Sequence, residues 1–135
     1  MKALIMTFSL LLSLGVYGSC PIDFSANGLC AELTWLDGPN LDKKSHFKLT
    51  FWDSEDQEQT PVSPEYDVNI YAWMTMHNGH NHGGPAMTYT EVEPGVFEVK
   101  DARFFMGRMR GFWEVRTDLS SEGTVLATGA SRVEF

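Results

Sequence analysis

The chain has 135 residues, 10 Lys and Arg against 18 Asp and Glu, a net charge of −8 and 43% hydrophobic residues. That length suits one domain and excludes the large α/β enzyme folds, and the apolar share is that of a globular chain, not a disordered one. The acidic balance excludes a nucleic-acid surface, which needs clustered Lys and Arg; Arg103, Arg108 and Arg110 form the one basic cluster.

Residues 1–18 read as a signal peptide. Lys2 supplies the positive start, Ala3 to Leu14 is apolar apart from Thr7 and Ser9, and Val16 and Gly18 are the small residues before a cut. The apolar run is shorter than the roughly 20 residues of a membrane span. The expectation is a mature domain of residues 19–135, periplasmic or secreted, with no membrane span after cleavage. Cys20 and Cys30 survive the cut, and Pro21 and Gly28 allow the chain between them to fold back. In an oxidising compartment they predict a local disulfide, contributing roughly 2–3 kcal/mol in the chain-entropy model. The alternative is a lipoprotein anchored at Cys20: Gly18 and Ser19 suit a lipid-modified cysteine, but Tyr17 stands where a Leu-like residue is expected.

No stretch of the mature chain keeps a helical period, whereas short alternating runs recur between turn residues. The first predicted strand lies near Cys30–Leu36, ended by Asp37-Gly38-Pro39-Asn40, and the second near His46–Trp52. In the second, Phe47, Leu49 and Phe51 face one way and His46, Lys48, Thr50 and Trp52 the other. Residues 53–64 form a solvated acidic connection. The third strand, near Tyr66–Met76, sets Val68, Ile70, Ala72, Met74 and Met76 on one face. His77 to Pro85 is then a loop, because four Gly and Pro residues punctuate it. Strands follow near Met87–Val92 and Val96–Lys100, then an irregular segment at Arg103–Arg110. A strand at Phe112–Leu119 turns Trp113, Val115, Thr117 and Leu119 inward, and the last runs from Thr124 towards Phe135. Seven such strands predict an all-β, immunoglobulin-like β-sandwich.

The chemistry concentrates in one window. Met74, Met76, Met87, Met106 and Met109, all the methionines of the mature chain, fall within 36 residues that also contain His77, His80 and His82. Thioether and imidazole together suit copper, since soft sulfur selects Cu(I) and imidazole accepts Cu(I) or Cu(II). Outside the cytoplasm a thioether outlasts a free thiol, and zinc gains little from Met. Met74, on the apolar face of its strand, reads as core filler, and Met87 is balanced between core and ligand. The candidate ligands are Met76, His77, His80, His82, Met106 and Met109. His46 reads as a surface residue, and the four tryptophans as core packing for the most part. No nucleophile elbow and no phosphate-cradling glycine loop occurs, so the expectation is a non-enzymatic protein.

Met74-Thr75-Met76-His77, Gly83-Gly84-Pro85, Pro94-Gly95-Val96-Phe97 and Met109-Arg110-Gly111-Phe112-Trp113-Glu114-Val115 together resemble the YtkA-like domain, which is related to FixH-like proteins. The resemblance spans roughly residues 45–119. It implies an exported immunoglobulin-like sandwich and a role in copper handling or respiratory-oxidase assembly, and it carries His77 as the firmest ligand. His80, His82 and Met106 are additions to the family pattern. The Cys20–Cys30 element departs from the family core, and the single membrane span of FixH-like proteins has no counterpart once the signal is removed.

Two functions follow as expectations. One is a copper-binding module that exchanges metal with a copper-accepting protein or another envelope protein. The other is a non-metal immunoglobulin-like interaction module of the envelope, its Met and His residues incidental.

Overall fold

The computed structural model describes residues 19–105 and 110–135. The expected signal peptide, residues 1–18, lies outside the described residues. Nine strands are present among them: β1 Ile22–Phe24, β2 Leu29–Asp37, β3 Ser45–Asp53, β4 Asp67–Met76, β5 Asn81–Gly83, β6 Tyr89–Glu93, β7 Val96–Ala102, β8 Gly111–Ser121 and β9 Thr124–Arg132. They form two antiparallel sheets, β1-β2-β3-β7-β6 and β5-β4-β8-β9. Without the short β1 and β5, the order is 2-3-7-6 against 4-8-9, the ABED and CFG arrangement of the immunoglobulin sandwich. The seven longer strands are those the alternating pattern predicts.

Alternation builds the core. Phe47, Leu49 and Phe51 of β3, Ile70, Ala72 and Met74 of β4, and Trp113, Val115 and Leu119 of β8 are all buried. Each such large side chain withdrawn from water contributes about 1.5–3 kcal/mol before conformational entropy is subtracted. Aromatic rings close both ends. At one end the fully buried Phe104 stands between Trp35 (5.9 Å), Trp113 (5.7 Å) and Phe135 (5.9 Å). At the other, Phe51 packs against Phe24 (6.1 Å) and Phe97 (5.6 Å).

Cys20 is bonded to Cys30 of β2, with the Cα atoms 5.2 Å apart, so the sulfur that a lipid anchor would use is engaged. One local expectation is corrected, that of the 77–85 loop, and one burial has a tertiary cause. Trp52 is buried although alternation turns it away from the core, because the 54–66 connection folds back and Pro61 bridges to it. The 77–85 loop contains β5, because Asn78 and Gly79 make a tight reversal there that lets the chain return along β4. Met87 is buried in the core. His46 is half-buried, its Nε2 2.9 Å from the Glu98 carboxylate.

Candidate metal centre

The Met- and His-bearing segment lies at the end of the sandwich where β4 stops and β8 begins. β4 and β8 run in register from Asp67↔Ser120 to Met76↔Gly111. Gly111 permits this approach: a Cβ there would run into the Thr75 carbonyl and come within 2.9 Å of the Met74 Cε. Beyond Met76 the chain reverses. Gly79, at a φ of 88°, occupies the left-handed region open to glycine, and its N–H donates to the Met76 carbonyl (3.0 Å). The Asn78 side-chain oxygen accepts the His80 N–H (3.0 Å), and the Met76 N–H donates to the His80 carbonyl (2.7 Å).

β5 then pairs with β4 in the register Thr75↔Asn81, Met74↔His82 and Trp73↔Gly83. Directly paired residues share a sheet face, so His82 lies on the side of Met74. Continued by the Met76–His80 bond, the same register puts His80 on the side of Met76. The His82 ring meets the Trp113 ring edge-on at 6.1 Å. Its Nδ1 is 3.0 Å from the Gly83 carbonyl; a carbonyl can only accept, so Nδ1 is the donor in that bond. Gly84 lets the backbone lie against Trp113, since a Cβ would meet that ring at 2.8 Å.

Met76 and His77 line one shallow depression of about 280 Å³ together with Asn78 and Arg110. Met76 is half-buried and packs against the core, whereas His77, His80, His82 and Arg110 are exposed. A methionine and a histidine thus line one surface depression, with an arginine among its other lining residues. Met74 is fully buried, as expected of core filler. Among the described residues, no three or more His, Cys, Asp or Glu side chains gather as a metal site, so His77, His80 and His82 do not converge on one point. Met106 and Met109 lie outside the described residues. The residues on either side of them are fixed to the site: the Phe105 carbonyl accepts the Trp113 indole N–H (3.0 Å), and the Arg110 carbonyl accepts the His77 N–H (2.8 Å).

Arg110 at the rim escapes sequence reasoning, because the β4–β8 register alone brings it beside His77. β5 could have been found from Asn78-Gly79, a hairpin signal with strand residues on both sides. No helix among the described residues is long and apolar enough to cross a membrane. No family model, no curated protein and no solved structure matches this chain.

Proposed function

We propose that this protein is an exported copper-binding module, its site built around Met76 at the end of β4, acting in periplasmic copper handling or respiratory-oxidase assembly. The observation that carries the reading is the shared depression of Met76 and His77. A half-buried thioether held by the core, beside an exposed imidazole, is a donor pair suited to Cu(I). Arg110 sharpens the choice of ion, because Coulomb repulsion grows with charge and weighs about twice as heavily on a dication as on Cu(I). His80 and His82 are the candidates for further imidazole ligation. The hydrogen bond from His82 Nδ1 to the Gly83 carbonyl is the kind of outer contact that orients a ligating ring. Met106 and Met109 are the candidates for a second thioether. The Cys20–Cys30 disulfide fits an oxidising compartment.

Bound copper would supply an exchangeable soft centre. What the chain contributes is orientation: Gly111 lets β4 and β8 close, and the Gly79 turn presents His77 next to Met76. Handing the ion to a copper-accepting protein needs ligand exchange and no catalytic step. Titration with Cu(I) against a chromophoric chelator tests the reading. Met76→Ala and His77→Ala should each weaken binding while leaving the fold intact; unchanged Cu(I) affinity in both would overturn it. The second reading, a non-metal interaction module, is favoured by a different observation: Leu41, Phe105 and Phe135 are exposed around the buried Phe104.

A further inference from the structure

The large exposed hydrophobic side chains of the described residues divide between the two ends of the sandwich. Leu36, Leu41, Phe105 and Phe135 lie at the end that carries the Met76 turn; Val92, Val125 and Leu126 lie at the opposite end. Leu41 bridges to Phe104, and the Phe135 ring is 5.9 Å from the Phe104 ring, so these two flank one buried aromatic.

Charge divides the same way. At the Met76 end, residues 37–44, 100–105, 110 and 132–135 hold six cations (Lys43, Lys44, Lys100, Arg103, Arg110 and Arg132) against four carboxylates. Of those carboxylates, Asp101 accepts from Thr88 and Glu134 pairs with Arg132. At the other end, residues 23–28, 53–67, 91–96 and 120–125 hold ten carboxylates and no Lys or Arg. A chain of net charge −8 is therefore bipolar, with one cation-rich end.

The Met76 end combines exposed apolar side chains with an excess of cations, as the buried centre and charged rim of an interface do, and the opposite end is acidic. We infer that the Met76 end of one copy docks on the acidic end of a second copy, giving head-to-tail association. Two copies of the acidic end repel, so the contact is heterologous, not two-fold symmetric. The occupant is a second copy because the charge complement of each end is carried by the other end of the same chain. Exposed ion pairs are individually weak, so the association is reversible and steered by the field of the whole molecule. It covers the Met76 turn, and it does not depend on the copper reading.

Sedimentation velocity of the purified chain tests this. At an ionic strength of about 10 mM, where the Debye length is roughly 30 Å, the sedimentation coefficient should rise with concentration; near 1 M, where that length is roughly 3 Å, it should fall to the monomer value. The pair Lys43→Glu and Lys44→Glu, or the pair Glu55→Lys and Glu58→Lys, should each weaken self-association by roughly tenfold or more. All four are exposed, so the fold should persist, as circular dichroism can check. The variant combining both pairs restores opposite charges and should associate again. Phe105→Ser should weaken association without removing its salt dependence. A monomer at every ionic strength, association insensitive to both reversals, or no recovery in the combined variant would overturn the inference, the last outcome pointing to a different acidic protein as occupant.

Discussion

The connection from β3 to β4, residues 54–66, and the turn that leaves β4 at residues 77–80 are both polar, yet they use their side chains differently. In the first, side chains hold backbone. Asp53 accepts the Glu55 N–H (2.9 Å), and the two oxygens of Asp56 accept the N–H groups of Glu58 and Thr60 (both 3.0 Å). The Val62 N–H donates to the Phe51 carbonyl (2.9 Å). In the second, Asn78 alone caps the turn through its side chain, and the His77 and His80 rings make no hydrogen bond among the described residues. Asp53 and Asp56 thus turn their carboxylates to the loop's own amides. A turn closed by backbone and one asparagine presents its imidazoles to solvent.

The largest expected effect separates the two methionines of β4. Met74 is fully buried between the sheets, so Met74→Ala should cost about 2–5 kcal/mol in urea unfolding with copper stoichiometry unchanged. Met76→Ala should do the reverse, with a smaller stability loss and weaker Cu(I) binding. Equal stability losses would mean that Met76 belongs to the core and not to a site. Next comes Gly95, at a φ of 80°, where a Cβ would run into the backbone of Val62. Gly95→Ala combines backbone strain with a clash and should cost about 1–3 kcal/mol. Amide exchange should rise at Val62 and stay the same in the Met76 turn; uniform loss of protection would show that the two connections are not separable.

Acid sharpens the comparison further. The Thr60 and Glu58 N–H groups hold the Asp56 carboxyl below the usual carboxylate range. A depressed carboxyl stabilises the folded state above its unfolded pKa, and that contribution is lost as pH falls through the lower folded value. Amide protection at Glu58 and Thr60 should therefore hold at neutral pH and fade only in strong acid. In Asp56→Asn it should be weaker at neutral pH and largely independent of pH. Glu98, held low by the His46 ring and then by Lys100, should follow the same direction.

How much of this was legible in the sequence depends on where the burial comes from. Phe47, Leu49 and Phe51 announce a strand because each one alternates with a polar residue, and the same holds for Trp113, Val115 and Leu119. Trp52 misleads because its cover is the 54–66 connection, a tertiary event that no local period encodes. β5 has three exposed residues and so carries no hydrophobic alternation at all; its pairing follows from the Asn78-Gly79 reversal. At the candidate site, the position of Met76 beside a loop is readable from the end of an apolar alternation. Its neighbour Arg110 is not, since the two are 34 positions apart in sequence and meet through the register of β4 and β8.

The smallest effect on the fold, and the one that divides the imidazoles, is expected at His82. Its residue is exposed, its ring packs T-shaped with the Trp113 ring, and its Nδ1 makes one hydrogen bond to its neighbour's carbonyl. His82→Ala should therefore leave apo stability within about 0.5 kcal/mol, as surface substitutions usually do. On copper, position decides. His77 shares the Met76 depression, whereas His82 pairs with Met74, two residues back along β4. The thioether is the stronger contributor for Cu(I), and added imidazole favours Cu(II). His77→Ala should thus lower Cu(I) affinity the more, and His82→Ala should lower Cu(II) affinity the more, both read by competition with chelators of each oxidation state. If His82→Ala removes Cu(I) binding as completely as Met76→Ala does, the two side chains belong to one compact centre, and the division between depression and hairpin is wrong.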